Sequence, residues 1–262
     1  MKKYFSVYRR LCIANWNVLM AYRADVFMQI VSSLAFSVNH VFIILLLTVK
    51  VPSVYGWSRG ELLLLAGVYN MFIGIYHAFI SRNLNHIADE IYFGRLDYVL
   101  LKPIDSQLST TIWKINYASL IRFVFGAGLS FYLLHDMSVS LTVSSVVLFF
   151  LFILLGMFLL YSFWLPFISL IIFNPRLSNI IMLLYQLTNV SRYPKEMYAR
   201  LPVYMVAVLL PLTLIITMPT KVLVQKFSYS LASELVIVCL VMGLFARFTW
   251  KFALRHYTSA SS

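Results

Sequence analysis

The sequence predicts an all-α integral membrane protein with six transmembrane helices, and two observations support this fold class. Hydrophobic residues make up 61% of the 262 positions and charged residues only 11%, whereas a soluble domain carries about a quarter charged residues. The charged residues are also spaced so that long windows contain none of them: 26–49, 62–81, 137–175 and 201–220. A helix needs roughly 20 apolar residues to cross the hydrocarbon core, so these windows are long enough to span a membrane.

Residues 1–25, which precede the first uncharged window, mix aromatic and basic side chains. This composition predicts an amphipathic helix lying on the inner leaflet, with a basic tail lacking fixed structure as the alternative. The apolar run after Asp25 is too long for the hydrophobic region of a signal peptide, and no small-residue cleavage pattern is near it. We therefore expect an interfacial helix that leads directly into the first span.

Five spans follow from the apolar runs. They are expected at about 27–49, 61–81, 115–134, 142–172 and 231–250. Two of the apolar runs hold a single charged residue near one end, Arg122 in 115–134 and Glu234 in 227–246. A long basic side chain in such a position can reach the membrane interface, so Arg122 does not argue against a span.

The sixth span falls within residues 177–220, and the sequence leaves two placements open. Either 177–191 crosses the membrane and 192–226 forms a re-entrant element in the outer leaflet, or 201–220 is the span itself. Three prolines fall in the later part of this region: Pro202, Pro211 and Pro219. Proline removes a backbone donor and interrupts a regular helix. The first placement, with a broken helical element before the last span, is therefore favoured.

The distribution of Lys and Arg orients these spans. Basic residues are concentrated in the N-terminal flank, in the polar segment between the second and third spans, and at the C-terminal end. Cytoplasmic loops carry an excess of such residues, so both termini and this segment are expected in the cytoplasm. The net charge of +12 is explained by this bias and by attraction to anionic lipid, so no nucleic-acid partner is expected.

Residues 82–107 form the polar segment. It holds four of the nine acidic residues of the chain: Asp89, Glu90, Asp97 and Asp105. The rest of the chain is suited to lipid. This cytoplasmic segment is therefore where we expect the chain to meet a soluble partner.

Motifs for catalysis and nucleotide binding are missing from the sequence. It has no G-x-x-x-x-G-K-[ST] loop, no G-x-G-x-x-G, no H-E-x-x-H and no G-x-S-x-G. Cys12 and Cys239 suggest neither a disulfide framework nor a metal site. His86, Asp89 and Glu90 have helical spacing and could hold a metal, but a solvated helix face is the favoured interpretation. We therefore expect no enzymatic activity, and no cofactor or metal, in this chain.

Four polar residues lie inside the predicted spans: Asn39, His40, Asn70 and His77. Hydrogen bonding between helices is the favoured role for such groups, and lining a translocation path is the alternative. The span interiors hold no carboxylate, whereas an ion-driven pump usually needs ionisable groups at mid-membrane. If the chain moves a substrate against a gradient, a partner must therefore supply the energy.

The polar segment also contains an ordered motif, E-x-x-x-G-x-L-[DE]-x-x-L-x-x-P. Its residues are Glu90, Gly94, Leu96, Asp97, Leu100, Leu101 and Pro103. This motif resembles the segment between the second and third spans of type-two ATP-binding-cassette (ABC) exporter permeases, particularly of a bacterial six-span family. In that family the segment forms the coupling helix that docks on the ATPase subunit. We expect Gly94 to end one helix and Asp97 to begin a short second one, which Pro103 closes.

Two further stretches extend the resemblance over most of the chain. The sequence Tyr-Gly-Trp-Ser at 55–58 is similar to the start of the family's second span. Five later residues resemble the stretch between the family's fifth and sixth spans. That stretch re-enters the outer leaflet in the family. The five residues are Arg192, Tyr193, Pro194, Pro211 and Pro219. Lys195, Glu196 and Arg200 make this stretch more charged than a re-entrant element favours.

The resemblance implies a transmembrane permease subunit of an ABC exporter. Two permease subunits, either copies of this chain or related chains, would enclose a central path. Each would present its coupling segment to a separate nucleotide-binding ATPase subunit, which holds ATP and Mg²⁺. Acidic residues of the segment (Asp89, Glu90 and Asp97) would pair with basic groups on the ATPase, and leucines (Leu96, Leu100 and Leu101) would fill its groove.

The expected cargo is apolar or amphipathic, because Phe, Tyr and Met are abundant in the spans. Two other functions stay open on the sequence alone. One is an ATP-independent carrier or channel, which would need a more polar lining than the spans supply. The other is a membrane-embedded enzyme, for which the four polar residues inside the spans are the only candidates.

Overall fold

The computed structural model of the protein describes residues 2–49, 51, 53–101, 105–107 and 114–257. It is 84% helical, and the one sheet among the described residues is a hairpin of β1 (Ser53–Val54) and β2 (Trp57–Ser58). The all-α membrane fold class is thereby confirmed.

The helices follow one another along the chain with short connections. The first half contains α1 (Lys2–Ala21), α2 (Arg23–Leu47), α3 (Arg59–Tyr76), a π turn (His77–Ser81), α4 (Arg82–Tyr92) and α5 (Asp97–Leu100). The second half contains α6 (Leu120–Asp136), α7 (Val143–Phe173), α8 (Ile180–Thr188), α9 (Val203–Leu223) and α10 (Tyr229–Arg255). Short 3₁₀ turns occupy Tyr117–Ser119, Pro175–Asn179, Asn189–Arg192 and Lys195–Tyr198.

Five of the described helical segments are long and apolar enough to cross a membrane. They are Arg23–Leu47, Arg59–Tyr92, Tyr117–Asp136, Val143–Phe173 and Tyr229–Arg255. Each overlaps one of the five spans expected from the apolar runs. The second is longer than expected, because α3 continues through the π turn into α4 and so carries the helix into the polar segment.

The region between α7 and α10 differs from expectation in one respect. The expected span at 177–191 is helical, but only Ile180–Thr188 is α-helix and 3₁₀ turns flank it. The element expected to be broken is instead one continuous helix, α9, which begins directly after Pro202 and runs through Pro211 and Pro219. The number of spans in this region, and its depth in the bilayer, stay predictions.

Close packing around α9 explains why its prolines do not break it. Both internal prolines are buried, and in a helix Pro219 deprives the carbonyl of Ile215 of its usual N–H partner. Gly156 of α7 packs against that site, so that a Cβ there would lie 3.3 Å from the Ile215 carbonyl oxygen. Neighbouring helices that enclose such a carbonyl allow proline within a buried helix.

Helix α3 forms the centre of the bundle and crosses α6 at glycines. A Cβ on Gly126 would lie 2.4 Å from the carbonyl oxygen of Gly67, and one on Gly74 would lie 2.5 Å from the backbone nitrogen of Phe123. The two backbones are therefore in direct contact. Small residues at a crossing are a usual way for membrane helices to pack closely.

Polar contacts identify the two ends of the bundle. At one end, Lys226 pairs with Glu61 at 2.8 Å and the Gln225 side chain donates to the Ser140 carbonyl at 2.9 Å. These contacts bring together the connections that follow α2, α6 and α9. At the opposite end, Arg247 of α10 pairs with Asp105 at 2.7 Å, and Tyr117 donates to the Cys12 carbonyl of α1 at 3.2 Å. The polar segment, α1 and the end of α10 thus share one end.

Candidate functional site

Helix α4 ends in a Schellman turn at Gly94. The backbone of Gly94 has φ +67°, and its N–H donates to the Ile91 carbonyl at 3.1 Å. The N–H of Arg95 donates to the Glu90 carbonyl at 2.7 Å. These two bonds satisfy the last carbonyls of the helix and require a left-handed residue at this position. The helix stop predicted at Gly94 is confirmed.

The turn then directs Leu96 into the bundle and starts α5 at Asp97, as predicted. Leu96 is fully buried and belongs to the same core as Leu84 and Ile87 of α4. It was expected to fill a groove on an ATPase, but its side chain is not accessible in this structure. Its role is to anchor the short α5 to the bundle. Pro103, expected to close α5, lies outside the described residues.

The outer surface of this segment is apolar and aromatic. Leu101 is 81% exposed and Tyr98 70%. With three neighbours they form what we call the docking face: Tyr92, Phe93, Tyr98, Leu100 and Leu101. Leu100 and Leu101, expected to contact a partner, are therefore accessible to one.

The acidic residues beside the docking face differ in their partners. Glu90 pairs with Arg95 at 2.9 Å and lies 3.8 Å from His86, so its charge is used within the segment. Asp97 lies near Tyr257, where burial and then this carboxylate raise the pKa of the tyrosine. Asp89 is exposed and forms no ion pair among the described residues. Of the three acids expected to face a partner, Asp89 is the one presented freely.

Metal binding by these residues finds no structural support. Nowhere in the described part of the chain do three or more His, Cys, Asp or Glu side chains gather as metal ligands. His86, Asp89 and Glu90 instead occupy the surface of α4, with Glu90 paired to Arg95.

Asn83 ties both ends of the polar segment together. Its side-chain amide donates to the carbonyls of Phe79 at 2.7 Å and Lys114 at 2.9 Å. In return, the N–H of Lys114 donates to its side-chain oxygen at 2.6 Å. Asn83 is buried, so these bonds fix the chain just before α6 against the start of α4.

A second network joins α4 to α8. Tyr185 of α8 forms hydrogen bonds with Ser81 at 2.7 Å and with the amide of Asn85 at 2.6 Å. His77 bonds to Ser81 at 3.0 Å and its ring stacks on Tyr185. His77, expected either to bond between helices or to line a path, therefore belongs to the contact between the π turn and α8.

The other three polar residues of the spans do not form one site with His77. Asn39 is on the exposed side of α2. Asn70 and His40 are buried on either side of Tyr69, with the His40 and Tyr69 rings 4.9 Å apart. Two of the four expected path residues are thus brought together, and the other two are separated from them.

Tyr69 and Asn70 also contact two arginines. Arg122 of α6 donates from Nη2 to the Asn70 side-chain oxygen at 3.1 Å, and Arg192 donates from Nε to the Tyr69 hydroxyl at 3.1 Å. We call Tyr69, Asn70, Arg122 and Arg192 the arginine cluster. The sequence had suggested that Arg122 reaches towards the interface and Arg192 belongs to the outer stretch. The signal that could have revealed the cluster is Arg122, since the acids nearest to it in the sequence are as far away as Asp105 and Asp136.

Two charges of the outer stretch, Lys195 and Glu196, form ion pairs with later helices. Lys195 pairs with Glu234 and Lys221 with Glu196, and the indole N–H of Trp57 donates to Glu196 at 3.0 Å. Burial raises the pKa of Glu196, but the hydrogen bonds from Lys221 and Trp57 outweigh it, and the net pKa is lowered. Of the three charges that did not suit the expected re-entrant element, Lys195 and Glu196 are therefore neutralised by partners, whereas Arg200 is exposed and lies over Tyr55. Tyr193 and the buried Pro194 line a small cavity beside them.

Comparison with known proteins gives one match. Residues 34–261 match the sequence model of a family described as "ABC-2 family transporter protein". No curated protein sequence and no solved structure matches the chain.

Proposed function

Because the chain belongs to the ABC-2 family of transporter proteins and is a multi-pass permease of an ABC transporter, we propose that it forms the path of an exporter driven by a separate ATPase. The observation that carries this proposal is the docking face. It exposes five large apolar side chains of the polar segment, among them Leu101 at 81%.

Contact with lipid explains the exposure of these apolar side chains less well than contact with a protein does. The docking face follows directly after Asp89 and Glu90 and precedes Asp105, and the basic flanks around it favour a cytoplasmic position. Large apolar groups rimmed by polar ones mark a contact with protein or membrane, and the acidic residues beside this face disfavour the anionic cytoplasmic leaflet. A groove on the ATPase that accepts Tyr98 and Leu101, with a basic residue opposite Asp89, would fit this surface.

The contacts behind the docking face can carry a displacement into the bundle. Leu96 anchors α5 in the core, Asn83 fixes the start of α4 to the chain before α6, and Tyr185 links α4 to α8. A push on the segment therefore changes the contacts of three helices. Coupling requires that the two states of the ATPase make different contacts with the permease.

The proposed assembly has two permease chains and two ATPase subunits. The second permease is either a copy of this chain or a related one. ATP and Mg²⁺ bind to the ATPase subunits, since this chain lacks a phosphate-binding loop. The docking end and both termini face the cytoplasm, and transport is outward.

The test is co-purification of the ATPase through a tag on this chain, followed by transport and ATPase assays in proteoliposomes. Leu101→Glu places a charge on the docking face and is expected to reduce ATPase recovery by at least tenfold. The matched control is Lys251→Glu, which changes an exposed charge on α10 at the same end and is expected to leave recovery unchanged.

Membrane insertion of both variants is measured by their recovery in the detergent extract. Equal ATPase recovery with Leu101→Glu and wild type would refute the docking assignment. Transport by wild-type protein in the absence of any ATPase would instead favour an ATP-independent carrier.

A further inference from the structure

The arginine cluster holds two positive charges that no acidic side chain of this chain balances. All nine acidic residues of the sequence lie among the described residues, and none forms an ion pair with Arg122 or Arg192. Arginine keeps its proton in proteins, and the other two members of the cluster are a tyrosine and an asparagine. The charge of the cluster is therefore positive.

The two arginines come from different elements and approach the same phenol. Arg192 donates to the Tyr69 hydroxyl and lies over its ring, with 5.6 Å from the guanidinium carbon to the ring centroid. Arg122 bonds to the neighbouring Asn70, so the two positive charges are held at adjacent residues of α3, where like charges repel each other. Such repulsion in a bundle of apolar helices is unfavourable unless a negative group joins them.

Both arginines of the cluster have N–H groups that form no hydrogen bond within the described part of the chain. The Nε–H of Arg122 is buried and has no hydrogen-bond partner among the described residues. Arg192 uses only Nε for a hydrogen bond within the described part of the chain, which leaves its terminal N–H groups. A guanidinium presents these donors as a planar fork that matches the oxygens of a carboxylate or phosphate.

An apolar cavity lies directly beside Arg192. Its volume is about 150 Å³, and its walls include Ile44, Leu47, Leu62 and Met197. An apolar cavity of about this size is known to accept a small hydrocarbon such as benzene. The cluster and the cavity together offer a cationic fork and an adjoining apolar space.

We propose that the arginine cluster binds the oxyanion of an amphipathic anion, and that the part of its apolar chain next to the oxyanion enters the cavity beside Arg192. This inference rests on the proposed transport function for its biological meaning, and it narrows the cargo from apolar or amphipathic to anionic and amphipathic. The same chemistry is offered by a transported acid and by the headgroup of an anionic lipid, and the experiment separates the two sources.

The test measures binding of cis-parinaric acid, a fluorescent fatty acid, and of its uncharged methyl ester. The permease is held in phosphatidylcholine nanodiscs without ATP, together with any ATPase that co-purifies. Probe dissolved in the nearby lipid also receives energy from tryptophan, so bound probe is taken as the part of the signal that an excess of a non-fluorescent fatty acid removes. Wild-type protein is expected to bind the acid at least tenfold more tightly than the ester, a difference of about 1.4 kcal/mol.

Variants locate this preference. Arg192→Gln is expected to remove the preference for the acid, and Arg192→Lys to retain part of it because the charge remains. Arg200→Gln is the matched control, since Arg200 is exposed and lies over Tyr55 rather than Tyr69, and it is expected to behave as wild type. Arg122→Gln is also expected to weaken the preference for the acid. Size-exclusion profiles establish that each variant is folded. If Arg122→Gln does not fold, the Arg192 variants alone still decide the test.

Two results would overturn the proposal: equal binding of acid and ester by wild type, or an unchanged preference in Arg192→Gln. Displacement of the probe by phosphatidylglycerol, without ATP-driven movement of the acid, identifies a lipid headgroup as the ligand. ATP-driven movement of the acid in proteoliposomes identifies cargo. Loss of ATPase co-purification with a retained acid preference would refute the proposed coupling alone, because binding is measured without ATP.

Discussion

Replacement of Gly94 tests whether the shape of the polar segment determines docking. Gly94 has φ +67°, and a residue with a Cβ pays about 1–2 kcal/mol to adopt this left-handed conformation. Because 1.4 kcal/mol is a factor of ten in an equilibrium constant, Gly94→Ala is expected to weaken ATPase docking by about tenfold. Gly94→Pro is expected to abolish docking, since proline fixes φ near −65° and removes the N–H that bonds to Ile91.

The assay is biolayer interferometry of purified ATPase on the permease in nanodiscs, with ATP-driven transport as the second readout. Gly94→Asn is the informative comparison, because asparagine tolerates left-handed backbone at helix ends and is expected to retain most of the affinity. Gly128→Ala is the matched control, since a Cβ there meets nothing within 4 Å. Wild-type affinity in Gly94→Ala, or equal losses in the Ala and Asn variants, would refute the reasoning.

Two further predictions concern stability. The net pKa of Glu196 is lowered below its usual 4.5. The stabilisation that Glu196 provides is therefore present above about pH 4.5 and is lost as the pH falls through its folded-state pKa. The Tm of wild type is expected to fall more steeply with acid than that of Glu196→Gln, and parallel Tm curves would contradict this. Gly126→Ala places a Cβ 2.4 Å from the Gly67 carbonyl oxygen, and it is expected to destabilise the bundle by about 1–3 kcal/mol or more; a Tm equal to that of Gly128→Ala would show that the α3–α6 crossing can relax.

Local rules predicted the backbone of the polar segment better than they predicted the contacts of its side chains. The end of α4 at Gly94 and the start of α5 at Asp97 follow from the conformational freedom of glycine and from the order of nearby residues. The burial of Leu96 does not follow from such rules, because it depends on where the Gly94 turn directs the chain relative to the core. A leucine beside an acidic residue is equally compatible with a docking surface and with an anchor.

The arginine cluster shows a second limit of prediction from sequence. Arg122 and Arg192 are separated in the chain by α7 and α8, and their approach to Asn70 and Tyr69 results from how α3, α6 and the 3₁₀ turn after α8 pack. The prolines of α9 show the same dependence on packing. Their effect on an isolated helix is to interrupt it, but in the bundle Gly156 of α7 encloses the Ile215 carbonyl that Pro219 leaves unpaired.

The π turn between α3 and α4 determines which side chains of the polar segment face the core. A π turn accommodates one more residue than a turn of α-helix, and one residue corresponds to about 100° of rotation. The side chains of α4 are therefore rotated by that angle relative to a plain continuation of α3. This rotation directs Leu84, Ile87 and Ile91 into the core. Deleting one residue from His77–Ser81 would restore a regular helix and turn this apolar stripe towards water, even though every residue of the segment itself would be unchanged.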